Sequence, residues 1–320
     1  MCLMEYERDK DGFMHNVIVF GSMNMDLTIE SDRMPQAGET LTGRGFFTNP
    51  GGKGANQAAA AARMGAPTYM VGAVGDDGFG VQMRSALEDA GADCSRLRTV
   101  EGVSTGVASI TRIDGDNRII LDPGANHVPT IDDVRAALDG FADEGDIFLT
   151  QLECDIPTTL DALRSARERG MYTVLNPAPA VELPDTTWSC VDMVCLNETE
   201  CELLSGIMPE TDERVREAAK FFQAKGVSVV AITLGSRGSI TFEGDAVWRL
   251  VPPEHETVDT TCAGDTYIGA CVASLAAGSD VPTALRWGTC ASALATTKLG
   301  AQQSIPSVEE VSSLVGTLSA

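Results

Sequence analysis

The segment Asp259-Thr260-Thr261-Cys262-Ala263-Gly264-Asp265-Thr266 is short and polar, and it runs straight into the apolar stretch 267–273. That change predicts a loop opening onto a buried helix. The first turn of a helix leaves N–H groups without partners and carries the positive end of the dipole, so such a tip holds phosphate. Asp265 falls in that first turn, where a carboxylate is stabilised as the anion and accepts a proton from a hydroxyl. An anion cradle beside a base suits phosphoryl transfer to an alcohol. An Asp in a first turn is also an ordinary helix cap, so the other residues must decide.

Asn24 and Asp26 follow the first apolar run, at the strand end where open α/β sheets bind ligands. Their side chains suit vicinal hydroxyls, and equally an Asx turn. Gly51-Gly52-Lys53-Gly54 allows close backbone approach and opens a helix with Lys53 and Asn56 one turn apart. It lacks the G-x-x-x-x-G-K-[ST] spacing of a Walker A loop. Glu153 follows another predicted strand, in a chain whose 46 acidic residues make surface carboxylates common. Asn197 and Glu200, one turn apart, suit the waters of a phosphate-bound Mg²⁺, an ion that keeps much of its hydration shell; solvated residues at a helix start look the same. Thr233, Gly235, Ser236 and Gly238 lie in a loop after a strand. The run 75–80 does not have the spacing G-x-G-x-x-G, and Asp76 and Asp77 would repel a pyrophosphate, which excludes a dinucleotide reading there.

The elements that must position these residues alternate. Short apolar runs at 17–21, 69–72, 147–152, 172–175, 191–196 and 229–234 predict buried strands. Residues 53–64, 79–90, 158–169, 198–204 and 212–225 read as helices, with two more at 266–277 and 282–299. Such alternation predicts a mostly parallel sheet with helices on both faces. Asp114-Gly115-Asp116-Asn117 between 107–113 and 118–121 signals a hairpin, and 239–242 with 247–250 a second. The polar segment 25–47 and the first hairpin fit the layering poorly. They read together as a small β lid, about 25–50 and 100–125, on a single domain spanning 16–320 after a disordered extension at 1–15. Met14, just before the first strand, is an alternative start.

The chain has 320 residues and 43% hydrophobic content, enough for one large α/β domain or a large and a small one. No apolar run approaches the ~20 residues of a membrane span, and the N-terminal stretch lacks the apolar core of a signal peptide. The net charge of −23 repels nucleic acid and anionic membranes, which excludes both as partners. The lysines are Lys10, Lys53, Lys220, Lys225 and Lys298 alone; an acidic, lysine-poor surface fits a halophilic source. The nine cysteines are scattered, with no C-x-x-C pair and no Cys/His cluster. They read as reduced, cytoplasmic thiols rather than a disulfide framework or a zinc site. Cys262, inside the loop, is expected to be open to alkylation.

The chain resembles the ribokinase/phosphofructokinase-B family of carbohydrate kinases, and within it the ribokinases. The motifs that carry this, in order from about 17 to 315, are Gly21-Ser22-Met23-Asn24-Met25-Asp26, Pro50-Gly51-Gly52-Lys53-Gly54-Ala55-Asn56-Gln57-Ala58, Gln151-Leu152-Glu153, Asn176-Pro177-Ala178-Pro179-Ala180, Asn197-Glu198-Thr199-Glu200, Thr233-Leu234-Gly235-Ser236-Arg237-Gly238 and the 259–265 loop. The resemblance implies a ribokinase-like three-layer α/β/α sandwich with a mostly parallel central sheet and a β lid. It implies ATP-dependent phosphorylation of D-ribose at its 5-hydroxyl, with Asp265 as base and the N–H groups of Ala263, Gly264 and Asp265 holding the developing charge. Asn24, Asp26, Gly52, Lys53, Asn56 and Glu153 would face the sugar. Asn197, Thr233, Gly235, Ser236, Gly238 and Gly264 would face ATP, with Thr289 on the adenine side. Asn197 and Glu200 would reach Mg²⁺ through water. A K⁺ site would use Asp259, Thr261, Ala295, Lys298, Gly300 and Ser304, with only Asp259 and Ser304 coordinating through side chains. The lid strands imply a homodimer. A nucleoside, fructose or a keto-sugar acid is the alternative acceptor. A catalytically silent sugar-binding regulator is disfavoured, because Asp265, Gly264 and Asn197 are all present.

Overall fold

The structure is a computed structural model, and it describes residues 14–114 and 116–316. Val17 and Val19 face one side of their strand and Ile18 and Phe20 the other, and all four are fully buried. A strand buried on both faces belongs inside a sheet covered by helices.

Along the chain, β1 is Val17–Phe20, β2 Asn24–Glu30, β3 Arg44–Gly51, α1 Lys53–Arg63, β4 Thr68–Gly75, α2 Gly78–Asp89, β5 Leu97–Val100, β6 Gly106–Ile113 and β7 Asp116–Asp122. Then follow α3 Ile131–Leu138, β8 Ile147–Thr150, α4 Ile156–Glu168, β9 Tyr172–Leu175, α5 Asp185–Trp188, β10 Met193–Asn197, α6 Glu198–Ser205, α7 Asp212–Ala224 and β11 Val229–Thr233. The remainder is β12 Ser239–Glu243, β13 Ala246–Leu250, α8 Ala263–Ala276, α9 Val281–Ala295 and α10 Val308–Val315.

The large sheet has the order β13-β12-β11-β10-β9-β8-β1-β4-β5. It is parallel from β11 through β5, with β12 and β13 antiparallel at one edge. Val19, Leu149, Cys195 and Ala231 pack with buried residues of α1, α2, α8, α9 and α10. Their neighbours Phe20, Phe148, Val194 and Ile232 pack with those of α3, α4, α6 and α7. The result is the three-layer α/β/α sandwich that the alternation predicts. A smaller mixed sheet, β3-β2-β6-β7, is built from β2 antiparallel to β3 and parallel to β6, and from β6 antiparallel to β7.

The polar segment 25–47, expected within the β lid, contains most of β2 and the start of β3. The structure adds elements that the sequence reading lacks, the short edge strand β5 and the helices α3 and α10 among them. Capping boxes start both helices, Thr130 with Asp133 and Ser307 with Glu310. Helix α9 ends at Ala295 rather than 299, since Thr297 and Lys298 turn through bonds to the carbonyls of Leu294 and Ala295. Of the expected extension, residues 1–13 lie outside the described residues. The His15 N–H donates to the Ala276 carbonyl at 2.9 Å.

Helices α1 and α8 cross closely because their facing residues are small. A Cβ on Gly269 would lie 2.4 Å from Ala60 Cβ and 2.7 Å from the Gln57 carbonyl oxygen. Gly269→Ala is therefore expected to destabilise the fold by about 1–3 kcal/mol through overpacking. Urea unfolding measures this, and an unchanged midpoint would show that the two helices have room to spare.

Candidate active site

The tip of α8 is shaped by an uncommon backbone. Cys262, its N-cap, adopts the left-handed conformation at φ 66° without being glycine. The Ala263 N–H donates to the Thr260 carbonyl at 3.3 Å, and the Thr266 N–H begins the helical ladder at the Cys262 carbonyl. Of the three N–H groups expected to form the cradle, those of Gly264 and Asp265 thus have no helical partner. A Cβ on Gly264 would meet nothing within 4 Å, so glycine keeps the space in front of these donors open.

Asp265 is buried and turns towards α1. Its Oδ2 accepts from Asn56 Nδ2 at 3.0 Å and its Oδ1 from Gln57 Nε2 at 2.9 Å. On the same side, Glu153 Oε2 accepts from Ser22 Oγ at 2.5 Å, from the Lys53 N–H at 3.2 Å and from Asn24 Nδ2 at 3.3 Å. Asn24 Oδ1 in turn accepts from Asn126 Nδ2 at 2.8 Å. Glycine at 52 is needed twice over. Its φ is +90°, and a Cβ there would lie 2.6 Å from the Asn24 nitrogen. All the residues assigned to the sugar line one cavity of about 430 Å³, and the small sheet contributes Phe47, Ile110 and Ile119 to its walls.

The electrostatics of this cavity are unusual. Burial, then Glu153 and Asp265, push the Asp26 carboxyl up to about 7. Burial alone would lower Lys53, but Asp265, Glu153 and Glu200 outweigh it and hold the ammonium above its ordinary range. Glu200 is raised by burial, against the pull of the Asn197 N–H and Lys53.

A second cavity, of about 900 Å³, is lined by Asn197, Thr233, Gly235, Ser236, Gly238 and Thr289, with Gly264 at its inner end. The buried Thr289 Oγ1 has no hydrogen-bond partner among the described residues. A third space of about 220 Å³ joins the two. It shares Lys53 and Asp265 with the first cavity and Asn197, Thr233 and Gly264 with the second. The α8 tip is therefore the wall common to both chambers.

Asn197 and Glu200 form a capping box, with both bonds at 2.9 Å, which occupies one carboxylate oxygen of Glu200. Glu200 lines the connecting space. Among the described residues there is no cluster of three or more His, Cys, Asp or Glu side chains able to hold a metal. This donor set fits a Mg²⁺ held mainly by phosphate and water. Asp259 Oδ1 accepts from Thr261 Oγ1 at 2.7 Å and from its N–H at 2.9 Å, and Oδ2 accepts from the Gly300 N–H at 3.2 Å. Although burial works the other way, these bonds and Arg112 hold Asp259 below its ordinary range, and so anionic. The structure thus brings Asp259, Thr261 and Gly300 together. Ser304 Oγ donates to the Ala301 carbonyl, the Ala295 carbonyl accepts from the Lys298 N–H, and the Lys298 side chain pairs with Glu310.

Cys262 differs from expectation. It is largely buried, and burial raises its thiol well above the ordinary value, so it is not an activated thiolate, although it lines the first and third cavities. The other described cysteines are unpaired too. Asp77 caps α2 and accepts from the N–H and hydroxyl of Thr105, which explains its place in the glycine-rich run without a ligand. Sequence reasoning missed Ser22, Gln57, Asn126 and Arg112 as contributors. Ser22 and Gln57 lie inside motifs it did recognise.

Residues 14–308 match the family model for pfkB family carbohydrate kinases. The chain belongs to that family. Among its pfkB relatives, a ribokinase of Staphylococcus aureus (strain COL) is 38% identical over 300 residues, covering 93% of this chain and 98% of that one. A deoxyribokinase of Salmonella typhimurium is 33% identical over 297 residues, covering 92% and 97%. Among solved pfkB structures, the Arabidopsis thaliana ribokinase complexed with ribose and ATP superposes with a TM-score of 0.86 at 32% identity, covering 95% and 99%.

The Asp26 shift makes a stability prediction. Its folded-state value, about 7, lies above the ordinary 3.8, so the folded chain binds this proton more tightly than the unfolded chain does. Stability on this account falls as pH rises from about 4 to about 7. Asp26→Asn removes the loss, so its Tm is expected to exceed the parent's increasingly between about pH 5 and about pH 8. A constant Tm difference across that range would refute the account.

Proposed function

We propose that this protein transfers the γ-phosphoryl group of ATP to the 5-hydroxyl of D-ribose, giving D-ribose 5-phosphate and ADP. The observation that carries the reading is the shared wall: one helix tip presents a held carboxylate to a hydroxyl-binding cavity and open N–H donors to a larger one. Asn24, Asp26, Glu153 and Lys53 bind and orient the sugar. Thr233, Gly235, Ser236, Gly238 and Thr289 hold the nucleotide. Asp265 accepts the proton as the 5-oxygen forms its bond to phosphorus and the bond to the β-phosphate oxygen breaks, releasing ADP. The N–H groups of Gly264 and Asp265, with that of Ala263 once its weak bond to Thr260 yields, stabilise the charge on the transferred group. Asn197 and Glu200 would hold a phosphate-bound Mg²⁺ through its waters, and the ion would supply charge neutralisation on the phosphates. Asp259, Thr261 and Gly300 would border a K⁺ that would stiffen the cradle.

The small sheet acts as a lid that excludes water from the sugar. Its edge strand β7 is exposed along its whole length, with Ile120 at 72%, and Phe46 of β3 is 64% exposed. Such an edge favours pairing with a second copy, so the protein works as a homodimer through its lid. It works in the cytoplasm and at high salt, readings supported by unpaired cysteines and a charge of −23. No described helix is long and apolar enough to cross a membrane.

The test is ADP release in high-salt buffer with Mg²⁺ and K⁺, comparing D-ribose, 2-deoxy-D-ribose, adenosine, fructose and no acceptor. Turnover dependent on ribose, and lower in Na⁺ than in K⁺, is expected. Turnover with another acceptor alone would overturn the substrate. Asp265→Asn is expected to lose about 10²–10⁴-fold in kcat while binding ribose. Sedimentation should give a dimer for the parent and monomers for Ile120→Arg; a monomeric parent would refute the lid interface.

A further inference from the structure

Asp265 is the third residue of α8, where an acidic side chain commonly folds back onto its own N-cap. Here it reaches across to α1, and one of the two amides that hold it belongs to no cavity wall. Gln57 is fully buried. Its Nε2 donates to Asp265 Oδ1 at 2.9 Å and to Asn176 Oδ1 at 3.1 Å, and its Oε1 accepts from Gln151 Nε2 at 2.6 Å. Asn176 Nδ2 donates to the Cys195 carbonyl at 3.0 Å.

The chain of bonds has only one possible direction. A main-chain carbonyl accepts and never donates. Asn176 must therefore turn its NH₂ to Cys195, which leaves its carbonyl oxygen facing Gln57. The Gln57 group on that side must be its NH₂, and the second hydrogen of that NH₂ points at Asp265. Oδ1 is thus committed as an acceptor by a buried donor that cannot flip. Oδ2 is held by Asn56, a residue of the sugar-side cavity wall, and so is the oxygen on the acceptor's side.

We propose that Gln57 is a positioning residue for phosphoryl transfer, fixing which oxygen of Asp265 faces the acceptor hydroxyl through a buried amide chain anchored at the Cys195 carbonyl. The proposal rests on the kinase reading above. Loss of such an outer partner reduces activity about 10–100-fold in other well-held sites, because a base free to rotate spends less time aligned with its proton donor.

The experiment measures kcat, the KM for ribose and for ATP, and calorimetric ribose binding, in the parent and three variants. Gln57→Glu keeps the shape and still accepts from Gln151, but puts an oxygen where the donor stood. Gln57→Met removes the polar group without burying a charge. Gln151→Met releases Gln57 Oε1 without touching Asp265. The expected result is a fall in kcat of at least about tenfold in both Gln57 variants and a smaller fall in Gln151→Met, with ribose binding and both KM values within about threefold of the parent. Parental kcat in Gln57→Glu or Gln57→Met overturns the assignment. So does loss of ribose binding together with turnover, which would make Gln57 a residue of the fold alone. A parent that turns over no ribose would instead sink the kinase reading.

Discussion

The approach of α1 to α8 is the constraint on which the rest of the site depends. It is possible because α1 presents a run of alanines and α8 presents Gly269, so two backbones meet where larger side chains would hold them apart. Three consequences follow from this one contact. The amides of Asn56 and Gln57 reach Asp265, the Lys53 ammonium enters the space in front of the α8 tip, and Cys262 lines that same space. The Asp265 carboxylate thus belongs to one helix and its orientation to another.

The second organising force is charge. Glu153, Glu200 and Asp265 act on Lys53, and Glu153 and Asp265 act on Asp26 as well. With too few cations nearby, repulsion and burial leave Asp26 holding a proton near neutrality. The same scarcity makes the donor side dependent on charge supplied from outside, because the α8 tip offers N–H dipoles and no basic side chain. Asp259 is kept anionic by hydrogen bonds instead, two of them from its own turn.

Much of this was legible in the sequence for identifiable reasons. Alternating apolar runs reported the central strands, since a strand buried on both faces has no polar positions to disguise it. Asp265, Asn24 and Glu153 could be picked out because short polar motifs stand out at strand ends. The small sheet was harder. The hairpin of β6 and β7 was signalled locally, but the strands inside 25–50 have no clear bounds until β6 pairs beside β2, a long-range partnership that no local pattern encodes. Gln57 was hidden for another reason. Inside a helix of alanines it reads as a neutral helix former, and its role appears only when strands β9 and β10 bring Asn176 and Cys195 to its other side. Asn126 is similar: it serves Asn24 from 102 positions away.

The register of the small sheet has a mechanical meaning. Asn24 opposes Gly51 on one side and Gly106 on the other, so three strands meet in a single row at the sugar cavity. That row is also where β2 leaves the end of β1. The far ends of β2 and β6 lie roughly 20 Å away at strand rise. The sheet is therefore a cantilever clamped at the row that holds Asn24. Rotation about the clamped row would sweep Arg112 and Asn117 through a wide arc while Asn24 scarcely moved. Displacement of the far end would thus open or narrow the cavity that Arg112 and Asn117 line, while the polar groups at the root kept their places.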